Sequence, residues 1–212
     1  KLPIVVSMGA IAASGGYYVS MAVGNEENSI FAEPTTTTGS IGVIIPHYDL
    51  SGLMARFDIK EDSIVSHERK QILSMTQAMP ESHRVIMQSH VDEAFERFKQ
   101  IIVAGRPELK NEEDKLIHPA TGTNLATGEV FTAKQAIRYG LVDKIGFIED
   151  AIQRAIGLAK KKNPGLDPDN IRVVRYEAPR GLLDFSPLLS SKAPLGTFES
   201  LLELSTPRRY YL

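Results

Sequence analysis

The sequence predicts an α/β fold. The evidence is the order in which short apolar runs and helix-forming stretches follow one another up to Ser66. Strands are predicted at 4–6, 29–32, 39–45 and 57–66, and helices at 14–23 and 50–56. Threonines 35–38 are expected to form the turn that leads into the third of these strands. The order β-α-β-β-α-β is typical of an α/β domain.

The longest helix is predicted to begin after Pro80 and to end at Gly105. Apolar residues recur there at three- and four-residue spacing, and proline favours a first helical turn whereas glycine favours a helix end. At 1.5 Å per residue, ~24 residues would span ~36 Å, more than a small domain needs to cover its core. We therefore expect the helix at 81–104 to form part of a subunit interface as well.

The elements that remain are shorter. Predicted in order are a loop at 67–79, a helical turn at 109–116, a strand at 129–131, helices at 132–139 and 149–162, and a strand at 171–176. The change of character after Asn163-Pro164-Gly165 predicts a domain at 1–162 and a separate region at 163–212. We expect that region to consist of the last strand and an extended arm from residue 178.

Composition excludes several functional classes. The chain has 212 residues, a net charge of −2 and no cysteine. The small net charge argues against binding to nucleic-acid phosphates, and the missing cysteines exclude disulfides, a thiol nucleophile and Cys-ligated metal. No apolar run approaches the ~18 residues of a membrane span. Because the first residue is Lys1 and not methionine, we expect a fragment or a processed product.

Ser14 is the first candidate nucleophile. It lies at a predicted strand-to-helix junction among small residues, Ala12, Ala13, Gly15 and Gly16, which let another backbone approach closely. The first N–H groups of a helix have no partner within the helix and stabilise nearby negative charge. A serine at this place therefore suits nucleophilic attack.

A serine hydroxyl needs a neighbouring base, usually histidine and sometimes an uncharged lysine. Of the five histidines, four lie next to proline or on the solvated face of the long helix; these are His47, His83, His90 and His118. His67 differs, because it stands in Ser66-His67-Glu68-Arg69-Lys70-Gln71 directly after a predicted strand. That hexapeptide also contains Lys70.

Several short motifs follow one another along residues 4–158. They are Ser14-Gly15-Gly16-Tyr17-Tyr18, Ala32-Glu33-Pro34, Thr38-Gly39-Ser40-Ile41-Gly42, Ser66-x-Glu68-x-Lys70, Val91-Asp92-Glu93-Ala94-Phe95, Gly105-Arg106, Gly128 to Ala136, and Gly140-Leu141-Val142-Asp143. No single motif is specific, but the ordered set resembles the signal peptide peptidase A family of Ser/Lys proteases.

The resemblance implies a Clp protease/crotonase-like fold of repeated β-β-α units and a serine endopeptidase that cleaves extended hydrophobic peptides such as spent signal peptides. It assigns Ser14 as nucleophile, Lys70 as general base, Ser40 as the residue that orients the lysine, and the backbone N–H of Gly15 as half of the oxyanion hole. It implies no metal or other cofactor. It also implies a homo-oligomer at a bacterial membrane, held there by a segment outside this chain and facing the periplasm or the exterior.

The sequence departs from the family pattern around the lysine. His67 and Arg69 stand where the family often has glycine and an aromatic residue, and Gln71 replaces an acid. His67 is therefore the alternative base. The family's second oxyanion donor belongs to a glycine-rich turn that would precede Lys1. Two other functions stay open: a crotonase-like acyl-CoA enzyme, and a catalytically silent homologue that only builds the oligomer.

Overall fold

The computed structural model describes residues 2–167, 171–174 and 176, and these residues form two compact units. The first unit contains residues 2–46 and 79–167, and the second contains residues 47–78 with the described residues after 170. The arm predicted from residue 178 lies outside the described residues. The predicted boundary between 162 and 163 stays a prediction.

One sheet of the first unit is parallel. It contains β1 (Val6–Met8), β3 (Ile30–Ala32) and β8 (Lys144–Ile145), in the order β1-β3-β8. All three residues of β3 are buried, as expected for the central strand of a parallel sheet covered on both faces. This sheet confirms the parallel pairing that an α/β fold requires.

A second sheet lies beside the nucleophile candidate. It contains β2 (Ile11–Ala13), β4 (Thr37–Gly39) and β7 (Val130–Thr132) in the order β2-β4-β7. Strand β2 runs parallel to β4, whereas β7 runs antiparallel to it. A third pair of strands, β5 (Lys110–Glu112) and β6 (Lys115–Ile117), is an antiparallel hairpin.

The helices of the first unit are α1 (Gly15–Ser20), α3 (Glu81–Gly105), α4 (Ala133–Arg138) and α5 (Ile148–Lys162), with a 3-10 helix at Met21–Val23 directly after α1. Thr132 and Gln135 form a capping box that begins α4. Acidic residues in the first turn of α5 and lysines in its last turn complement the helix dipole. The second unit contains α2 (Ser51–Arg56) and a 3-10 helix at Glu68–Gln71.

The C-terminal half of α3 is the part that enters the core. Phe98 and Ile102 are buried there, together with Tyr17 of α1 and the buried faces of β3, β6 and α4. Lys99 is buried as well, and its ammonium forms an ion pair with Glu96 at 2.8 Å and donates to the Glu113 carbonyl in the hairpin turn. The lysine therefore ties the β5–β6 hairpin to α3.

Most helices lie where the sequence predicts them, but several strands do not. Thr35 lies in the predicted turn, but Thr37 and Thr38 already belong to β4, which ends at Gly39, and residues 40–45 of the predicted strand form no strand. Residues 57–66 and 109–116 contain neither the predicted strand nor the predicted helical turn. The latter segment forms the hairpin, residues 171–174 form no strand, and β2 was not predicted at all. The α/β class is confirmed, while the Clp protease/crotonase-like fold stays a prediction.

The misplaced strand has a physical cause. Thr36 and Thr38 are buried, and their hydroxyls donate to the carbonyls of Gly9 and Ala12, each at 2.7 Å. Threonine is also a β-branched residue that suits a pleated surface. The two buried threonines alternate with the less buried Thr37, and their hydroxyls bond this segment to the backbone that precedes Ser14.

We predict that Gly39→Ala lowers the free energy of unfolding by about 2–3 kcal/mol. Gly39 has φ +84°, and an added Cβ would lie 2.5 Å from Cδ2 of Phe131 and 3.1 Å from the Glu129 carbonyl oxygen. Urea unfolding followed by circular dichroism measures the change. Gly157→Ala is the matched control, because an added Cβ there meets open space within α5, and it should stabilise the chain by about 0.5–1 kcal/mol. Equal stabilities of the two variants would contradict the packing argument.

Candidate active site

Ser14 occupies a strained turn between β2 and α1. Its backbone has φ 52° and ψ −111°, a conformation that residues with a Cβ rarely adopt. Strain of this kind costs about 1–3 kcal/mol and persists only where the surrounding structure holds it. A serine held on a sharp strand-to-helix turn is the arrangement that presents the nucleophile in several serine hydrolases.

Backbone hydrogen bonds hold this turn on both sides. The Ser14 N–H donates to the Gly39 carbonyl at 2.7 Å, and the Ser14 carbonyl accepts from the Tyr18 N–H at 2.8 Å. Ser14 precedes the first residue of α1, yet its side chain makes no capping hydrogen bond. Serine is common at helix starts because its oxygen usually accepts from an N–H of the first turn. Ser14 does not serve that structural purpose.

Strand register brings Ser40 beside Ser14. Ala13 pairs with Gly39 in the parallel ladder, so Ser14 and Ser40 each follow the last paired residue of neighbouring strands. Adjacent strands lie about 4.8 Å apart, and ligands of α/β sheets bind beyond the carboxyl ends of the strands. Ser40 also has a positive φ of 52°, and its N–H donates to the Glu129 carbonyl at 2.7 Å. Two strained serines therefore stand side by side.

Gly15 is the first residue of α1, so its N–H lacks a partner within the helix. It follows Ser14 directly, which is where the backbone donor of an oxyanion hole stands in the strand-to-helix turn of other serine hydrolases. The structure thus brings together three of the predicted site residues in the first unit: Ser14, Gly15 and Ser40.

The two candidate bases lie in the second unit. Lys70 belongs to the 3-10 helix and is exposed, with its N–H donating to the His67 carbonyl at 2.9 Å. His67 caps this helix, since its Nδ1 accepts from the Arg69 N–H at 3.1 Å. A capping function thus competes with a function as base at His67.

An open cleft of about 270 Å³ adjoins the turn. It is lined by small and apolar groups that come from β1, β2 and one face of α1: Val6, Ser7, Met8, Gly9, Ile11, Ala12, Gly16, Val19 and Ser20. Its lining carries no ionisable side chain, and it combines apolar side chains with the two serines Ser7 and Ser20. Within residues 2–167, 171–174 and 176, no group of three or more His, Asp or Glu side chains could hold a metal ion.

Comparison with known proteins identifies the family. The model of peptidase family S49 matches residues 1–162. The chain belongs to peptidase family S49. This membership places it among the serine-type peptidases and confirms the resemblance to the signal peptide peptidase A family.

Three relatives show how far the similarity extends. A protein of Synechocystis sp. provisionally named as a protease is 35% identical over 97% of this chain and 71% of its own length. Protease 4 of Salmonella typhi is 33% identical over 78% of this chain, and the chloroplastic serine protease SPPA of Arabidopsis thaliana is 33% identical over 76%. The matches cover 24% and 21% of those two relatives, so this S49 chain spans only a part of them.

Sequence reasoning missed a set of buried polar residues behind the turn. The sequence pattern assigns Tyr17 no bonding partner, whereas in the structure its hydroxyl donates to the Leu141 carbonyl at 2.9 Å. Arg106 forms an ion pair with Asp143 at 3.2 Å, and both residues belong to the motifs that carried the resemblance. The sequence signal that could have indicated these contacts is that Tyr17, Arg106 and Asp143 belong to three separate motifs of the one ordered set.

No helix among the described residues is long and apolar enough to cross a membrane.

We predict that Ser14→Gly raises the free energy of unfolding by about 1 kcal/mol, because glycine adopts a positive φ without the Cβ penalty. Ser14→Ala keeps the Cβ and should bring no such gain. Chemical unfolding of the two variants and the unmodified chain measures the difference. If Ser14→Gly is no more stable than Ser14→Ala, the turn is not strained.

Proposed function

We propose that this S49 chain is the catalytic part of a serine endopeptidase that uses a Ser14–Lys70 dyad. The observation that carries the proposal is the strained turn at Ser14, whose hydroxyl does not cap the helix it precedes. Strain at a serine is explained when the residue serves chemistry, since glycine would suit the backbone better. Ser40 and the Gly15 N–H beside it support the same interpretation.

The reaction proceeds in two halves. Ser14 Oγ attacks the peptide carbonyl carbon while the neutral Lys70 amine takes the hydroxyl proton, and the Gly15 N–H donates to the oxyanion that forms. Lys70 then gives the proton to the leaving amine, and the C–N bond breaks to leave an acyl-enzyme. Water, deprotonated by the same lysine, attacks the ester carbonyl carbon; the ester C–O bond then breaks, Lys70 returns the proton to Ser14 Oγ, and the carboxylic acid product leaves. We assign Ser40 to orient the lysine amine.

Lysine acts as a base only where its neutral form is favoured. Burial or a second nearby cation favours that form, because each lowers the pKa of the ammonium group. Lys70 is exposed within its own unit, so substrate or a neighbouring chain must cover it when the dyad assembles. No carboxylate among the described residues forms an ion pair with Lys70. Such an ion pair would stabilise the charged form of the lysine. Because His67 Nδ1 is already an acceptor in the helix cap, Lys70 is the better base.

The substrates we propose are extended hydrophobic peptides, including remnants of signal peptides. The cleft formed by β1, β2 and α1 supports this choice, because its lining carries no charge that would exclude an apolar side chain of a substrate. By analogy with the family, we further propose a homo-oligomer at a bacterial membrane, with the catalytic part facing the periplasm or the exterior. The part of α3 outside the core is available for contacts between chains.

We predict that Ser14→Ala and Lys70→Ala each lower kcat for a fluorogenic apolar peptide by a factor of ~10³–10⁴. Lys70→Arg should be equally inactive, because a guanidinium keeps its proton. His67→Ala is the matched control and should stay close to the unmodified chain. Activity that survives Ser14→Ala would overturn the peptidase proposal, and loss of activity in His67→Ala alone would make histidine the base.

Mixing inactive chains tests where the dyad forms. If Ser14 and Lys70 of different chains act together, Ser14→Ala chains combined with Lys70→Ala chains recover part of the activity. If both residues act within one chain, the mixture stays inactive. Light scattering of the same samples measures the number of subunits.

We predict that Gly9→Leu changes the peptide preference of the enzyme. An added Cβ at Gly9 meets open space in the cleft, so leucine would fill the cleft without a clash at its first carbon. Filling should lower kcat/KM for peptides with large apolar side chains by roughly 10–100-fold, the effect of one or two methylene groups in an apolar pocket, and spare peptides with alanine. Gly157→Leu, on the exposed surface of α5, is the control. An unchanged preference would show that the cleft holds no substrate side chain.

A further inference from the structure

Helix α1, which directly follows the candidate nucleophile, is too short to be stable by itself. Helix α1 has six residues, and isolated helices shorter than ~12 residues are marginal in water. Its first turn includes Gly15, and Ser14 immediately precedes it. The position of the nucleophile therefore depends on what α1 is bonded to.

Tyr17 is the buried polar anchor of α1. It is 0% exposed, and its hydroxyl donates to the Leu141 carbonyl at 2.9 Å. Burial raises the pKa of this hydroxyl above its usual range, and the positive charge of Arg106, close to the hydroxyl, opposes that rise. The hydroxyl stays protonated and keeps donating at any physiological pH.

Arg106 and Asp143 extend this anchor to the parallel sheet. Arg106 follows α3, is 5% exposed, and forms the 3.2 Å ion pair through Nη1. The other carboxylate oxygen of Asp143 accepts from the N–H groups of Ser29 and Ile30 at 2.7 and 2.8 Å. The Asp143 carboxylate thus joins the end of α3 to the start of β3. Asp143 lies two residues after Leu141, whose carbonyl accepts from Tyr17.

The end of α3 is packed closely against the segment after α1. A Cβ added at Gly105 would lie 3.1 Å from the Met21 sulfur and 3.2 Å from the Gly24 carbonyl oxygen. Arg106 Nε and Nη2 are buried, without a hydrogen-bond partner among the described residues.

We propose that Tyr17, Arg106 and Asp143 act together as positioning residues, which hold α1 so that the Ser14 turn keeps its strained conformation. None of the three touches the reacting atoms. The inference rests on the proposed function, because it gives the strain at Ser14 a catalytic purpose. Without the hydroxyl of Tyr17, α1 can shift and the turn at Ser14 can relax.

The test compares Tyr17→Phe, which removes a single oxygen atom, with Ile102→Val, which removes one methyl group from the fully buried Ile102 of the same core. The rate constant for labelling of Ser14 by a fluorophosphonate should fall roughly 10–100-fold in Tyr17→Phe, the loss expected for a misplaced nucleophile. It should stay unchanged in Ile102→Val. For a peptide substrate the loss should appear in kcat, with KM within about twofold.

Arg106→Lys and Arg106→Met separate charge from packing. The lysine variant keeps a cation for Asp143 and should retain more labelling than the methionine variant. Because the residues act as one unit, Arg106→Lys should add little to the loss already caused by Tyr17→Phe. Additive effects of the two substitutions would overturn the proposal, as would equal labelling of Tyr17→Phe and the unmodified chain.

Hydrogen exchange provides a readout that needs no peptidase activity. Amides of residues 14–18 should exchange about tenfold faster in Tyr17→Phe than in Ile102→Val, with other amides of the core alike in the two variants. Equal exchange would overturn the positioning proposal, whatever the chemistry at Ser14. Absence of fluorophosphonate labelling in the unmodified chain, with faster exchange in Tyr17→Phe, would instead overturn the proposed function alone.

Discussion

The parallel pairing of β2 with β4 is the interaction on which the rest of the site depends. The pairing ends at Ala13 and Gly39, and the next hydrogen bond, from the Ser14 N–H to the Gly39 carbonyl, bends the chain into α1. Hydroxyls of two buried threonines bond to carbonyls of the same segment and make its register hard to shift. A slip of one residue would turn those hydroxyls away and separate the two serines. The geometry of the candidate nucleophile therefore depends on this sheet as well as on the bonds that hold α1.

Buried charges in the first unit serve a comparable structural purpose. Lys99 ties the β5–β6 hairpin to α3, and the hydrogen bond from Lys99 is the main reason why the pKa of Glu96 lies below its usual range. Arg106 and Asp143 join α3 to the parallel sheet. Removal of one member of such a pair leaves an uncompensated buried charge, which destabilises far more than loss of the pair's net energy. The C-terminal end of the long helix is thus attached to the β5–β6 hairpin and to the parallel sheet, while much of its N-terminal half is exposed.

Strain and function can be reconciled at this turn. Backbone at positive φ destabilises the folded chain slightly, and natural proteins retain such positions mainly where chemistry or recognition requires them. Here two non-glycine residues with the same φ follow neighbouring parallel strands, and a glycine with φ +84° precedes one of them. The ladder between β2 and β4 sets the two serines in this register, and peptidase family S49, to which the chain belongs, is a family of serine-type peptidases.

The sequence by itself determined the α/β class, most helices, the family, and Ser14 as candidate nucleophile, because helical periodicity, capping residues and an ordered set of motifs are local signals. Only tertiary structure decided that Thr37 and Thr38 belong to a strand, since the hydroxyls of Thr36 and Thr38 bond to residues 26–28 positions away, and that 109–116 lies in a hairpin held by Lys99. Long-range pairing also decided that Ser40 stands beside Ser14 and that Tyr17 is bonded to Leu141, 124 residues further along the chain. Local propensity contains no information about such partners, because their energy exists only once the chain has folded.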